Sequence, residues 1–179
     1  GNMGLIRDKI PQKTRGKVAV IGSGPAGLTV AGDLAREGFN VMIFEGEQEA
    51  GGVLMYGIPE YRLPKDVVRK EVKKIEALGV TFITQCMVGQ AITVDNMFEQ
   101  GFDAVFIGSG TALPKSLDTP GYTLRGVTQS SYFLRMASLC NTGSIGREEV
   151  PVKQGDIVGV IGGGNVAMDA ARTALRMGA

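Results

Sequence analysis

Lys17-Val18-Ala19-Val20-Ile21-Gly22-Ser23-Gly24-Pro25-Ala26-Gly27 is the stretch from which the fold is read. Lys17 to Ile21 is a short, nearly continuous apolar run with β-branched residues, the pattern of a strand covered on both faces of a parallel sheet. After the glycine turn, Leu28, Ala31, Leu34 and Ala35 recur at helical spacing as far as Gly38, a helix stop. Asn40-Val41-Met42-Ile43-Phe44 then restores the apolar run and ends at Glu45. Strand, helix and strand in that order predict a right-handed βαβ crossover and an α/β domain of Rossmann-like type.

The turn itself, Gly22 to Gly27, fits G-x-G-x-x-G. In that pattern the first glycine permits the tight turn, the second lets a pyrophosphate approach the backbone, and the third lets the helix pack closely on the strand. The helix start offers free N–H groups and a partial positive charge to phosphate. Glu45 stands 18 residues beyond Gly27, placed to accept hydrogen bonds from the ribose hydroxyls of an adenosine. Alone, a glycine turn is weak. Between a buried strand and a helix, with a carboxylate closing the next strand, it points to a dinucleotide, against the plainer alternative of a close-packed turn with a surface Glu. The βαβ unit does not separate FAD from NAD.

Further along, Glu47 to Pro64 reads as irregular, interrupted by Gly51-Gly52, Gly57, Pro59 and Pro64. Lys65 to Leu78 is predicted as a helix with Val68, Val72, Ile75 and Leu78 in one apolar stripe and a solvated basic face. Thr81–Ile83 is a strand, Ile92-Thr93-Val94 a short edge piece, Asp95 the N-cap of a short helix, and Asp103 to Ile107 another buried strand ending in Gly108-Ser109-Gly110. That glycine element reads either as a cofactor contact through Gly108 and Gly110 or as a close-packed turn. Pro114 to Gly126 is turn-rich, and Ser130 to Leu139 is a helix with Phe133, Leu134 and Ala137 facing a core. Ile157 to Ile161 is a fresh parallel-type strand. Gly162, Gly164 and Ala167 after it form G-x-G-x-x-A, the pyridine-nucleotide version of the fingerprint, with Asn165 and Val166 donating backbone N–H groups.

Composition narrows the chemistry. With 19 basic and 18 acidic residues the formal charge is +1, so neither nucleic acid nor an anionic membrane is an expected partner. No apolar run approaches the roughly 20 residues of a membrane span, and a cytoplasmic location is expected. There is no histidine, and two distant cysteines, Cys86 and Cys140, read as buried thiols. This excludes a Ser-His-Asp apparatus, a Cys-x-x-Cys pair and an iron–sulfur cluster held by this chain alone. We therefore expect no metal ligands and no catalytic side chain. The difficult chemistry falls to a bound cofactor.

The glycine pair Gly51-Gly52 after Glu45 resembles the two-dinucleotide flavoprotein superfamily of disulfide reductases and ferredoxin reductases, in which the first Rossmann unit takes FAD. More specifically, Lys17 to Val68, including Gly51-Gly52-Val53-Leu54-Met55-Tyr56-Gly57-Ile58-Pro59-Glu60-Tyr61-Arg62-Leu63-Pro64-Lys65, with Phe102 to Gly110 and Gly162 to Ala174, resembles the small (beta) subunits of NADPH-dependent glutamate synthase. The resemblance implies an FAD-dependent oxidoreductase subunit that passes electrons from NADPH, or NADH, through FAD to a larger partner subunit, where glutamine and 2-oxoglutarate become glutamate. Iron–sulfur clusters would lie in parts of the protein outside this chain. It implies that Gly22, Ser23, Gly24, Pro25, Ala26 and Gly27 hold the FAD pyrophosphate and Glu45 the ribose. Gly52, Val53, Leu54 and Arg62 would lie along the flavin and Val88 near the adenine, unless Arg62 merely ties down its own loop.

The same resemblance implies a truncated chain. Residues 1–16 are a lead-in, partly an expression tag, 17–112 the first part of the FAD domain, 113–155 a connector and 156–179 the start of an NAD(P) domain. NAD and NADP are not distinguished, because the second strand of that unit, where acidic or basic residues would decide, is not in the sequence. Alternatives are a flavin subunit of the NADH-dependent ferredoxin:NADP oxidoreductase or dihydropyrimidine dehydrogenase kind, with another electron acceptor. In a different class stands a non-catalytic nucleotide-binding module.

Overall fold

The structure, a computed structural model, describes residues 12–179 apart from 112 and 116. The expected tag remnant at Gly1-Asn2-Met3 lies outside the described residues. In chain order the elements are β1 (Lys17–Ile21), α1 (Pro25–Arg36), β2 (Asn40–Phe44), α2 (Val53–Tyr56), α3 (Lys65–Glu76), β3 (Thr81–Ile83), α4 (Val94–Glu99) and β4 (Ala104–Ile107). Then follow α5 (Ser130–Asn141), a 3-10 turn (Arg147–Glu149) and α6 (Asn165–Arg176). They fall into two compact units, one of residues 1–52 and 66–110, the other of residues 53–65 and 111–179.

The first unit holds a parallel sheet in the order β3-β2-β1-β4. Val18 pairs with Val41 on one side and with Ala104 on the other. Alternate residues point to opposite faces of a strand, and both faces here are covered. Val20, Val41 and Ile43 pack with Leu28, Ala31 and Ala35 of α1 and with Leu78 and Val80. On the opposite face Ala19 and Phe44 pack with Met97 of α4 and with Phe102. The nearly unbroken apolar runs of β1 and β2 are what two covered faces require.

Four sequence expectations are corrected in this unit. β4 is an edge strand rather than a buried one: it pairs only with β1, and Ile107 is 66% exposed. The cap of α4 is Thr93, whose hydroxyl accepts from the Asn96 N–H in a capping box, and not Asp95; Ile92 makes a single bridge to Val88 in place of an edge strand. The face of α3 is not simply solvated, since Arg69 Nε donates to Glu49 at 2.7 Å and Arg69 also reaches Asp66. Lys13, ahead of β1, is tied down, its Nζ donating to Ala35 O (3.1 Å) and Leu78 O (2.8 Å), carbonyls at the ends of α1 and α3.

In the second unit α5 and α6 share a core of Phe133, Ala137, Val150, Val152, Ala170 and Ala174. Within the stretch expected as a connector, α5 and the residues Val150 and Val152 are packed. The segment expected to be wholly irregular contains the four-residue helix α2, and Ser138 Oγ donates to Met55 O at 3.1 Å. Residues 157–161 form no strand. A strand exists only as part of a ladder, and among the described residues of this unit nothing pairs with them; Ile157 is fully exposed. Cys86 and Cys140 are free and half-buried rather than buried.

Candidate functional site: two glycine turns

In the first unit the turn Gly22–Gly27 joins β1 to α1 at the carboxyl end of the sheet. Its glycines differ in what surrounds them. Gly22 has φ +90°, and a Cβ there would lie 2.5 Å from Gly108 O. A Cβ on Gly27 would lie 2.0 Å from Gly22 O, so the helix and the turn touch through bare backbone. Gly24 is the opposite case, with an ordinary backbone (φ −67°, ψ −177°) and nothing within 4 Å of its Cβ position. Two glycines serve the fold, and the middle one faces open space.

Gly24 is also the N-cap of α1, and no side chain caps that helix. Pro25 at the first helical position has no N–H to lose, and the following N–H groups have no intrahelical acceptor. No acidic residue sits in the first turn. Free donors, a positive helix end and open space beside Gly24 suit an anion held by main chain. Gly52 closes in from the far side, its Cβ position 2.9 Å from Gly24 Cα.

Glu45 is 7% exposed at the end of β2. Its Oε2 accepts the Ser23 N–H at 2.9 Å and the Ser23 hydroxyl, and its Oε1 accepts the Glu47 N–H at 2.8 Å. Ser23, fully buried, accepts the Gly51 N–H on its Oγ at 2.9 Å. The structure thus brings Ser23, Glu45, Gly51, Gly52 and Gly24 together. Sequence reasoning missed the Ser23–Glu45–Gly51 chain of bonds; the only signal was a small polar residue between two glycines. It also missed the clamp of Glu49 by Arg69. That hydrogen bond holds the Glu49 carboxyl below its usual range and the Arg69 guanidinium above its own.

Gly108 lies against the same turn, its N–H donating to Ile21 O at 2.8 Å, while the Cβ position of Gly110 meets nothing within 4 Å. Val88 packs partly buried near Phe44 and Met97. It follows Gln85, the one non-glycine with a left-handed backbone (φ 56°) among the described residues.

In the second unit Gly164 caps α6 with no side-chain cap and no acidic residue in the first turn. Nothing lies within 4 Å of the Gly164 Cβ position, and Asn165 and Val166 are exposed beside it. Gly162 has φ +125°, and its Cβ position lies 3.4 Å from Ala167 Cβ. As at the first turn, the first glycine is set by its backbone and the one that caps the helix is open, and here Gly163 faces open space too. Arg62 is engaged within this unit: its NH1 meets Asp169 of α6 at 2.7 Å, and Arg172 and Arg176 lie over the Tyr61 ring. The Asp169 bond raises the Arg62 pKa. Val53 is exposed, and the Leu54 carbonyl accepts from buried Lys65 at 2.9 Å. Asp169 and Lys65 were not legible as functional in the sequence.

Among the described residues, no group of three or more His, Cys, Asp or Glu could hold a metal, and no helix is long and apolar enough to cross a membrane.

The chain is 44% identical over 165 residues to the NADP(+)-dependent formate dehydrogenase subunit beta of Moorella thermoacetica, covering 91% of this chain and 22% of that protein. It is 38% identical over 176 residues to the glutamate synthase [NADPH] small chain of Bacillus subtilis (strain 168), covering 97% of this chain and 35% of that one. The chain therefore spans about a fifth to about a third of these relatives. Among solved structures, FprA of Mycobacterium tuberculosis in complex with NADPH shares the fold, with TM-score 0.73, 23% identity, and coverage of 89% of this chain and 36% of that one. The sequence profile of the pyridine nucleotide-disulphide oxidoreductases matches residues 16–179, and this chain belongs to that FAD- and NAD(P)H-binding family.

Proposed function

We propose that this chain is the nucleotide-binding part of a flavin oxidoreductase subunit, with FAD on the turn Gly22–Gly27 and NADPH on the turn Gly162–Ala167, passing electrons to a partner subunit. One observation carries the reading: in both turns the second glycine of the fingerprint opens on free space, while Gly22 and Gly27 are filled by the fold and Gly162 is set by its backbone. Nothing in folding demands glycine at Gly24 or Gly164. A ligand that must touch the backbone there does.

The residues fit such ligands. Main-chain N–H groups at the starts of α1 and α6 would take the two pyrophosphates, and Glu45 the ribose of the flavin's adenosine. Gly52, Val53 and Leu54 would border the flavin, Val88 the adenine, and Gly108 and Gly110 the inner side of the turn. When bound, flavin and nicotinamide would supply the hydride-transfer chemistry. The chain's own task is to bind, orient and exclude water, which needs no acid or base among its side chains.

The finer assignment is to the glutamate synthase type, with a larger subunit converting glutamine and 2-oxoglutarate to glutamate. Likeness to glutamate synthase small chains over nearly the whole chain supports it. A formate dehydrogenase-type subunit is the second reading, favoured by the identity to the Moorella protein. The test of the shared reading uses the full-length protein. Gly24→Val should fold and lose FAD, whereas Gly164→Val should keep FAD but resist reduction by NADPH, both followed by flavin absorbance. Retention and normal reduction of flavin in both variants would refute the assignment.

A further inference from the structure

Ser23 sits at the second position of the first turn, yet neither of its donors faces the open side. Its N–H and its hydroxyl both donate to one oxygen of Glu45, and its Oγ accepts the Gly51 N–H. With no exposed surface, the side chain has no room to touch a ligand. A carboxylate offers about four acceptor positions. Ser23 fills two on Oε2, and the Glu47 N–H takes one on Oε1. Among the described residues this leaves one position, on Oε1, for an incoming hydroxyl.

We infer that Ser23 is a positioning residue, which turns the Glu45 carboxylate so that its remaining acceptor on Oε1 meets a ribose hydroxyl and, through Gly51, holds the glycine pair against the same turn. The inference rests on the reading of Gly22–Gly27 as a dinucleotide turn. The chemistry is that of any adenosine diphosphate moiety carrying its ribose hydroxyls. Without the serine hydroxyl, Oε2 loses one of its two donors and Gly51 loses its acceptor. Glu45 is then free to rotate, and its preference for a hydroxyl-bearing sugar should fade while attraction of phosphate to the α1 N-terminus persists.

The experiment is calorimetric titration of flavin-free full-length protein with ADP and with 2′,3′-dideoxy-ADP. A hydrogen bond to a charged group is worth roughly tenfold in affinity, so wild-type protein should prefer ADP by about that factor. Ser23→Ala should bring the preference below about threefold while binding of the dideoxy ligand stays within about threefold of wild type. The double variant with Glu45→Gln should lose no more than Glu45→Gln alone, because the two residues act in series. If Ser23→Ala keeps the full preference, or weakens both ligands equally, Ser23 is only a structural residue and the inference is overturned. If wild-type protein binds neither ligand, the dinucleotide reading falls and takes the inference with it. Should the alanine variant not fold, as judged by thermal melting, Ser23→Gly removes the same hydroxyl without a methyl group, and the same two outcomes apply.

Discussion

Gly27 and Gly24 stand three positions apart in one turn and answer to different constraints. A methyl group on Gly27 would run into Gly22 O at 2.0 Å, backbone against backbone, with no flexible side chain to yield. Overpacking of this kind costs about 1–3 kcal/mol, and we expect Gly27→Ala at the upper end, measured by urea unfolding. At Gly24 the same change meets open space and an ordinary backbone. Loss of unfolded-state freedom stabilises while a poorer N-cap destabilises, so Gly24→Ala should stay within about 1 kcal/mol of wild type. Equal losses at the two positions would mean that the open space beside Gly24 is not there. The G-x-G-x-x-G pattern was legible in sequence. Which glycine serves packing and which leaves room was not, because that depends on how the turn folds Gly22 O onto Gly27 and on Gly108 O arriving from elsewhere in the chain.

At the level of elements, two stretches with nearly the same composition have different fates. Lys17–Ile21 and Ile157–Ile161 both read as parallel strands, but only the first lies between two partners, β2 and β4. The second makes no ladder among the described residues, and Ile157 and Ile161 are exposed. Hydrogen exchange on the 179-residue chain should therefore show amides of Val18 to Ile21 far better protected than those of Ile157 to Ile161. Comparable protection in the two would show that the second stretch has found a strand partner. Apolar periodicity reports a tendency to be buried in a sheet, whereas the ladder depends on residues far away. The same reasoning covers β4, whose apolar run predicts burial although it lies at the edge.

For the molecule as a whole, each unit carries its own fingerprint and its own core. Under the proposed function, the whole protein's reaction depends on what receives the electrons. We expect full-length protein to reduce an artificial dye with NADPH whatever its natural partner. If the glutamate synthase assignment holds, NADPH oxidation in the presence of the proposed partner subunit should depend on glutamine and 2-oxoglutarate together. Coupling to formate in their place would move the assignment to the formate dehydrogenase type. From sequence alone came the α/β class, the first βαβ unit, both glycine fingerprints and the family resemblance, because hydrophobic period and glycine spacing are local properties of the chain. Tertiary structure alone decided that Phe133, Ala137, Val150 and Val152 join a core with α6, that Arg62 is taken by Asp169, and that Ser23 is turned inward onto Glu45. Each of those rests on partners separated by tens of residues, whose approach is set by packing and by the need to satisfy buried polar groups.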